Sequence, residues 1–358
     1  MKLKSLHEVK IKSYKNKKKI IIVFLITLAV FSSLILLFYF LLAMNDKSEG
    51  KNKKTNIDDV NTVEKEKLTV YDEDSNKRPI AVMIDNNVGT NAHVGLQDAY
   101  LTYEVIVEGG LTRIMAIFKD VNTSVIGPVR SSRHYFLDYA LESDTIYAHY
   151  GWSTYAANDI KALGVNNING LYDSGYYRDN KISAPHNVFT SIENLYNVSN
   201  SKGYRTTSNN YYLLNYTTDD VNFDADSSLI NANNISMTYS YREVRSYTYD
   251  SEHKYYLRYM NNSPHIDRDS GRQYHYKNII IMKVGNHTLD SYGRQDLDTV
   301  GSGEGYYITN GYAILINWKK DSRSGKTIYS YKDGKELVVS DGNTFIQVVP
   351  NNSNVSFS

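Results

Sequence analysis

Between residues 103 and 151 the chain alternates short apolar runs with the residues that break them. Residues 103–107 and 114–118 flank the corner Glu108-Gly109-Gly110, residues 124–126 end in Gly127-Pro128, and residues 145–148 lead into His149-Tyr150-Gly151. Apolar runs of about four to eight residues bounded by Gly, Pro or Asp are strand signals. This stretch therefore has to form closely spaced strands, with one helical pattern over about 132–142. Arg113 stands just past the glycine corner, and Arg130-Ser131-Ser132-Arg133-His134 stands at the start of the helix. Open α/β sheets place ligands at such strand ends and strand-to-helix junctions. The spacing predicts that Arg113, Arg130 and Arg133 face one anion-binding pocket, supported by the helix N-terminus, with Ser131 beside them and His149 closing the far wall. The competing roles are structural: Arg113 pairs with Glu104 or Glu108 to brace a hairpin, and Ser131 or Ser132 caps the helix.

The elements around this stretch extend the pattern. Residues 79–84 are almost continuously apolar, as expected of a strand buried on both faces, and end at Asp85, either a ligand position or a turn closing the strand. A short helix is expected at 95–101, a helix over 153–163 capped by Ser153, and one from Thr190 to about residue 200. Between them lies a loop rich in Gly, Asn and Tyr (164–183), long enough to be a lid, that leads to His186. Past a boundary near 220–232 the helix signals vanish. Strand patterns recur to residue 349, with Asn310-Gly311 and Asp333-Gly334 as hairpin turns. The fold class is α+β: a mixed α/β domain over 76–220, then a mainly antiparallel β domain over 233–350. Being separate in pattern, the two are expected to separate on proteolysis. In the second domain the densest polar motif is Arg294, Asp296, Asp298 and Glu304, a glycine-rich loop that His265 and Asp267 are placed to approach. Its spacing is not that of an EF-hand, and an Arg294–carboxylate pair closing the loop is the simpler account.

The N-terminus adds a membrane. Residues 1–19 hold eight lysines against one glutamate, and residues 20–44 contain no charge. Such a run spans the roughly 30 Å hydrocarbon layer, and the lysines keep residues 1–19 cytoplasmic. The expectation is one uncleaved transmembrane helix (20–44), a polar stalk (45–75) and both domains outside the cell membrane. The whole chain carries +1; residues 1–19 carry +7, which leaves −6 for residues 20–358. A mildly acidic exported part argues against nucleic-acid binding. The chain has no cysteine, which excludes disulfides and thiolate metal sites. It also lacks the spacings of zinc, P-loop and serine-hydrolase sites, so no metal site or cofactor is expected.

The segments RPIAVMIDN (78–86), YEVIVEGGLTRIMAIF (103–118), IGPVRSSRHYFLDYA (126–140), APHNVF (184–189), GRQDLDTVGSGEGYYITNG (293–311) and TFIQVVP (344–350) resemble the YerB-like family over about residues 76–350. The resemblance implies two domains of unknown function in an exported, usually lipid-anchored protein. The chain departs from it in lacking a lipid-anchor cysteine. Over a shorter span the first domain is similar to LytR-CpsA-Psr phosphotransferases, through Asp85, Arg113, Pro128-Val129-Arg130 and the segment 147–151. There the resemblance implies arginines on a lipid pyrophosphate and aspartates on magnesium, although Leu111-Thr112 stands where a paired aspartate is usual. Two functions follow. One is a binding module for an anionic envelope polymer or lipid pyrophosphate, or for a protein partner on the β domain. The other is a phosphotransferase acting on a lipid-pyrophosphate-linked polymer, for which alone magnesium would be required. The candidate ligand residues are Asp85, Glu108, Arg113, Arg130, Ser131, Arg133, His149 and His186.

Overall fold

The computed structural model describes residues 66–358 apart from residues 88, 90, 209–212, 222 and 224–227. The basic tail (1–19), the transmembrane helix (20–44) and the stalk up to residue 65 lie outside the described residues. Among those described, no helix is long and apolar enough to cross a membrane.

The main strands are β1 (Ile80–Asp85), β2 (Leu101–Ile106), β3 (Thr112–Phe118), β4 (Ile146–His149), β5 (Asn167–Asn169), β6 (Asn234–Ser240), β7 (Glu243–Asp250), β8 (Tyr255–Met260), β9 (Asn278–Val284), β10 (Gly301–Thr309), β11 (Tyr312–Lys320), β12 (Ile328–Tyr331), β13 (Thr344–Pro350) and β14 (Val355–Phe357). The helices are α1 (Phe136–Glu142), α2 (Thr154–Ala162) and α3 (Ile192–Ser201). One large mixed sheet has the order β12-β11-β10-β9-β13-β2-β3-β1-β4-β5. Strand β13, near the C-terminus, lies parallel to both β9 and β2. It thereby joins the sheet of the first sequence region to that of the second. A smaller antiparallel sheet holds β8-β7-β6-β14.

Burial follows the pattern of the residues. β1, β2, β3 and β13 are buried along their whole length, as their near-continuous apolar runs require. β6, β7 and β8 alternate buried and partly exposed residues, as expected of a sheet packed on one face. The mixed sheet and the β-rich C-terminal region match the expected α+β class. The two regions expected to come apart, however, share one sheet.

Local differences have local causes. Residues 124–126 form no regular strand; Ile126 makes an isolated bridge to Thr190, and Pro128, with no N–H, cannot extend a ladder. The short helix expected at 95–101 is a single 3-10 turn, Leu96–Asp98, because the apolar residues from Leu101 onward are taken by β2. Helix α1 begins at Phe136 rather than near residue 132, and neither Ser131 nor Ser132 caps it. Ser132 Oγ instead accepts from Tyr147 Oη at 2.9 Å. Ser153 does cap α2, accepting from Ala156 N, whereas α3 is capped by Ser191 and not Thr190. The loop 164–183 is pinned by β5 and by a short ladder pairing Tyr177 with Phe189.

Candidate functional site

Strand β1 ends at Asp85, and the antiparallel register sets Asp85 opposite Arg113 on β3. The segment after Gly127 runs along the end of β1. Asp85 N donates to Pro128 O at 2.8 Å and Arg130 N to Met83 O at 2.8 Å. Arg130 therefore emerges beside Asp85, its Nε 3.5 Å from Asp85 Oδ2. Arg130 Nη1 donates to Pro185 O at 3.1 Å, and the adjoining His186 places Nδ1 against Asp85 Oδ2. Glu108 lies in the turn between β2 and β3, where Gly109 and Gly110 have φ of 68° and 71°, a region that strongly favours glycine. A Cβ on Gly110 would also come within 2.9 Å of Ser240 Oγ. From that turn Glu108 meets the Arg133 fork, Nε to Oε1 at 2.6 Å and Nη2 to Oε2 at 2.8 Å.

The electrostatics centre on Arg113, which is 7% exposed. Its Nη1 donates to Ser131 O at 2.7 Å, while its Nε has no partner. Burial, and then the neighbouring Arg133 and Arg130 cations, pull it down to about 10; Asp85 and Glu108 oppose them. Arg113 thus stays charged at neutral pH with, among the described residues, no carboxylate in contact. Burial alone would raise the Asp85 carboxyl, but Arg130, His186 and Arg113 outweigh it and hold the group below its usual range. Arg133 and Arg113 do the same for Glu108 against its burial. Three guanidinium groups therefore share two carboxylates. A buried cation left over from such pairing is costly unless an anion or water completes it.

Asp85, Glu108, Arg113, Arg130, Ser131, Arg133 and His186 come together here. His149 does not face them: it is fully buried on β4, with Nδ1 2.8 Å from Gly151 O and Nε2 3.1 Å from Asn167 Nδ2. The expected contribution of the α1 N-terminus is also missing, because α1 starts three residues past Arg133. The groups around Asp85 do not fit magnesium, which needs several oxygen ligands; Asp85 is faced instead by two arginines and a histidine. Among the described residues no group of three His, Asp or Glu side chains could hold a metal.

The second candidate loop is divided. Arg294 pairs with Asp290 at 2.7 Å, closing its own turn. Asp296 accepts from His134 Nε2 at 2.8 Å, and Asp296 and Asp298 line a shallow depression with His134, Asp138 and Arg323. Glu304 pairs with Lys332 on the far part of the sheet and takes no part in that loop. His265 and Asp267 do not approach it either. His265 Nδ1 contacts Arg258, and Asp267 accepts from Gly95 N and Tyr274 Oη.

A buried charge network was not foreseen. Glu104, inaccessible on β2, accepts from Arg245 Nε at 2.6 Å, Arg258 Nη2 at 2.6 Å and Asn86 Nδ2 at 2.7 Å. Both arginines come from the smaller sheet. The available signal was the alternation of residues 243–247, which sets Glu243, Arg245 and Tyr247 on one inward face. Glu104 therefore does not brace Arg113.

The fold and this cluster define an α+β protein whose two sequence regions share one sheet, with three arginines and two carboxylates gathered at the ends of its first and third strands. Two family descriptions match the chain: "Protein of unknown function (DUF3048) N-terminal domain" over residues 67–205 and its C-terminal domain over residues 235–346. The Bacillus subtilis (strain 168) protein "Putative lipoprotein YerB" is 31% identical over 287 residues, 79% of this chain and 84% of that protein. A crystal structure of the YerB protein from Bacillus subtilis aligns with a TM-score of 0.68 at 29% identity, covering 78% of this chain and 94% of that one. The chain belongs to the YerB-like family.

Proposed function

We propose that the protein is held at the outer face of the cell membrane and binds an anionic component of the envelope through the arginine cluster. The observation that carries this reading is Arg113: a buried cation flanked by Arg130 and Arg133, with an unpartnered Nε and, among the described residues, no ion pair of its own. A phosphate or pyrophosphate supplies the acceptor oxygens that these forks lack. The membrane attachment rests on the uncharged run 20–44 behind its lysine block and on the lipoprotein named in the relative. This chain has no cysteine, so its attachment is the span itself. Protease added to intact spheroplasts is expected to degrade the region after residue 65, and protection of that region would contradict the topology.

Calorimetric titration with inorganic pyrophosphate at low salt tests the site. Binding is expected for the wild type and should weaken as salt is raised. Arg130→Ala is expected to lower affinity by about tenfold or more while costing only about 1 kcal/mol of stability, because Asp85 keeps His186. Absence of binding to the folded wild type would overturn the reading.

A further inference from the structure

An aromatic surface adjoins the arginine cluster. Residues 130–132 and 150–153 run side by side: Tyr150 N donates to Arg130 O at 2.9 Å, Ser132 N to Gly151 O at 2.9 Å, and Ser153 N to Ser132 O at 3.2 Å. A Cβ on Gly151 (φ 82°) would lie 3.1 Å from Ser131 Oγ and 3.5 Å from Leu171 Cδ1. Ser131 and Leu171 therefore both lie against that glycine, so the apolar side chains begin close to the segment that carries Arg130. Beyond it, the rings of Trp152 and Tyr172 are 5.8 Å apart and tilted by 40°. Tyr172 is 75% exposed and Leu171 52% exposed. On the other side of Gly151, the Arg178 guanidinium sits over the Tyr150 ring, 5.1 Å from its centroid. Arg178 donates to Asn187 Oδ1 at 2.6 Å and, among the described residues, forms no ion pair with a carboxylate.

We infer that this surface is the saccharide subsite of the same ligand and that the ligand is a phosphorylated sugar. The inference rests on the anion-binding reading above. Leu171 and Tyr172 expose apolar surface beside the half-buried Trp152 ring, and such surface is unfavourable in water unless something covers it. The apolar C–H face of a pyranose matches the electron-rich face of an aromatic ring, and its phosphate then falls on Arg130 and Arg113, with Arg178 flanking. The hydrogen bonds between residues 130–132 and 150–153 hold the two subsites at a fixed separation, so a molecule bearing both groups gains over either group alone.

The test compares inorganic phosphate, N-acetylglucosamine and N-acetylglucosamine 1-phosphate by tryptophan fluorescence and calorimetry. The chain has two tryptophans, and Trp318 is buried, so the Trp318→Phe variant isolates the Trp152 signal. The sugar phosphate is expected to bind about tenfold tighter than phosphate and to shift that signal. Tyr172→Ala, a change at an exposed position, and Trp152→Ala should each remove most of the gain while phosphate binding stays. Equal affinity for phosphate and sugar phosphate would overturn the saccharide subsite and leave the anion site standing. A gain that survives both substitutions would overturn its placement on this surface. Failure of all three probes to bind would overturn both. A free sugar phosphate and a phosphodiester-bearing glycan present the same chemistry. The methyl ester of the sugar phosphate separates them: retained affinity marks the glycan, and lost affinity the free monoester.

Discussion

Glu104 sits mid-strand between Tyr103 and Val105, and a carboxylate can be buried there because Arg245 and Arg258 both reach it. Burial pushes this group up, but the two arginines outweigh burial and hold it down at about 2. Removing the carboxylate with Glu104→Ala leaves the buried Arg258 without a carboxylate and Arg245 with Glu243 alone, and is expected to cost about 3–5 kcal/mol in urea unfolding. The histidines set a different pH limit. Burial lowers His93 to about 4 and His149 to about 4, against an ordinary value of 6.5. Between pH 6.5 and 4 the unfolded chain binds protons at these two sites and the folded chain does not. The contribution is therefore complete above pH 6.5 and is lost as pH falls to 4, up to about 3 kcal/mol for each histidine. Urea midpoints at pH 7.5, 5.5 and 4.5 should fall in that order, and a flat profile would contradict the neutral, buried state of both rings. The arginine cluster was legible in sequence because its members lie at strand ends close together in the chain. The Glu104 network was not, because its partners lie 141 and 154 positions away and only the fold brings them near.

Among the elements, strands were the most legible. Apolar runs bounded by turn residues mark β1 to β4 and most of the C-terminal strands, and Asn310-Gly311 turns as expected, with φ of 49° and 83°. Helix starts were less legible, because neighbouring Ser and Thr residues offer equivalent caps and tertiary contacts choose among them. Thr190 donates its hydroxyl to Gly175 O, which leaves Ser191 to accept from Asn194 N. Ser191→Ala should therefore cost about 1 kcal/mol and Thr190→Ala should not act through the helix cap; far-UV thermal melts distinguish the two. On β13, Ile346 is fully buried between β9 and β2. Ile346→Ala is expected to cost about 2–5 kcal/mol, a larger effect than that of any exposed strand residue.

For the molecule as a whole, β13 and the Glu104–Arg245–Arg258 network tie the two sequence regions together. Sequence patterning located the change from mixed α/β to strand-only structure, but a strand that pairs outside its own region carries no mark in its residues. An engineered protease site between residues 217 and 230 should therefore yield fragments that elute together under native conditions and part only in denaturant. Two separately folded fragments would contradict the shared sheet. Asp85 and Arg113 stand on β1 and β3, and Arg130 is on the segment hydrogen-bonded to the end of β1; β2 and β13 hold these strands in that sheet, so the geometry of the cluster depends on the intact molecule. The most direct test is a crystal of residues 66–358 soaked in pyrophosphate. The account predicts phosphate oxygens within hydrogen-bonding distance of Arg113 and Arg130, with the Asp85–His186 contact retained. An unchanged cluster under saturating pyrophosphate, with Arg113 Nε still lacking an acceptor, would contradict it.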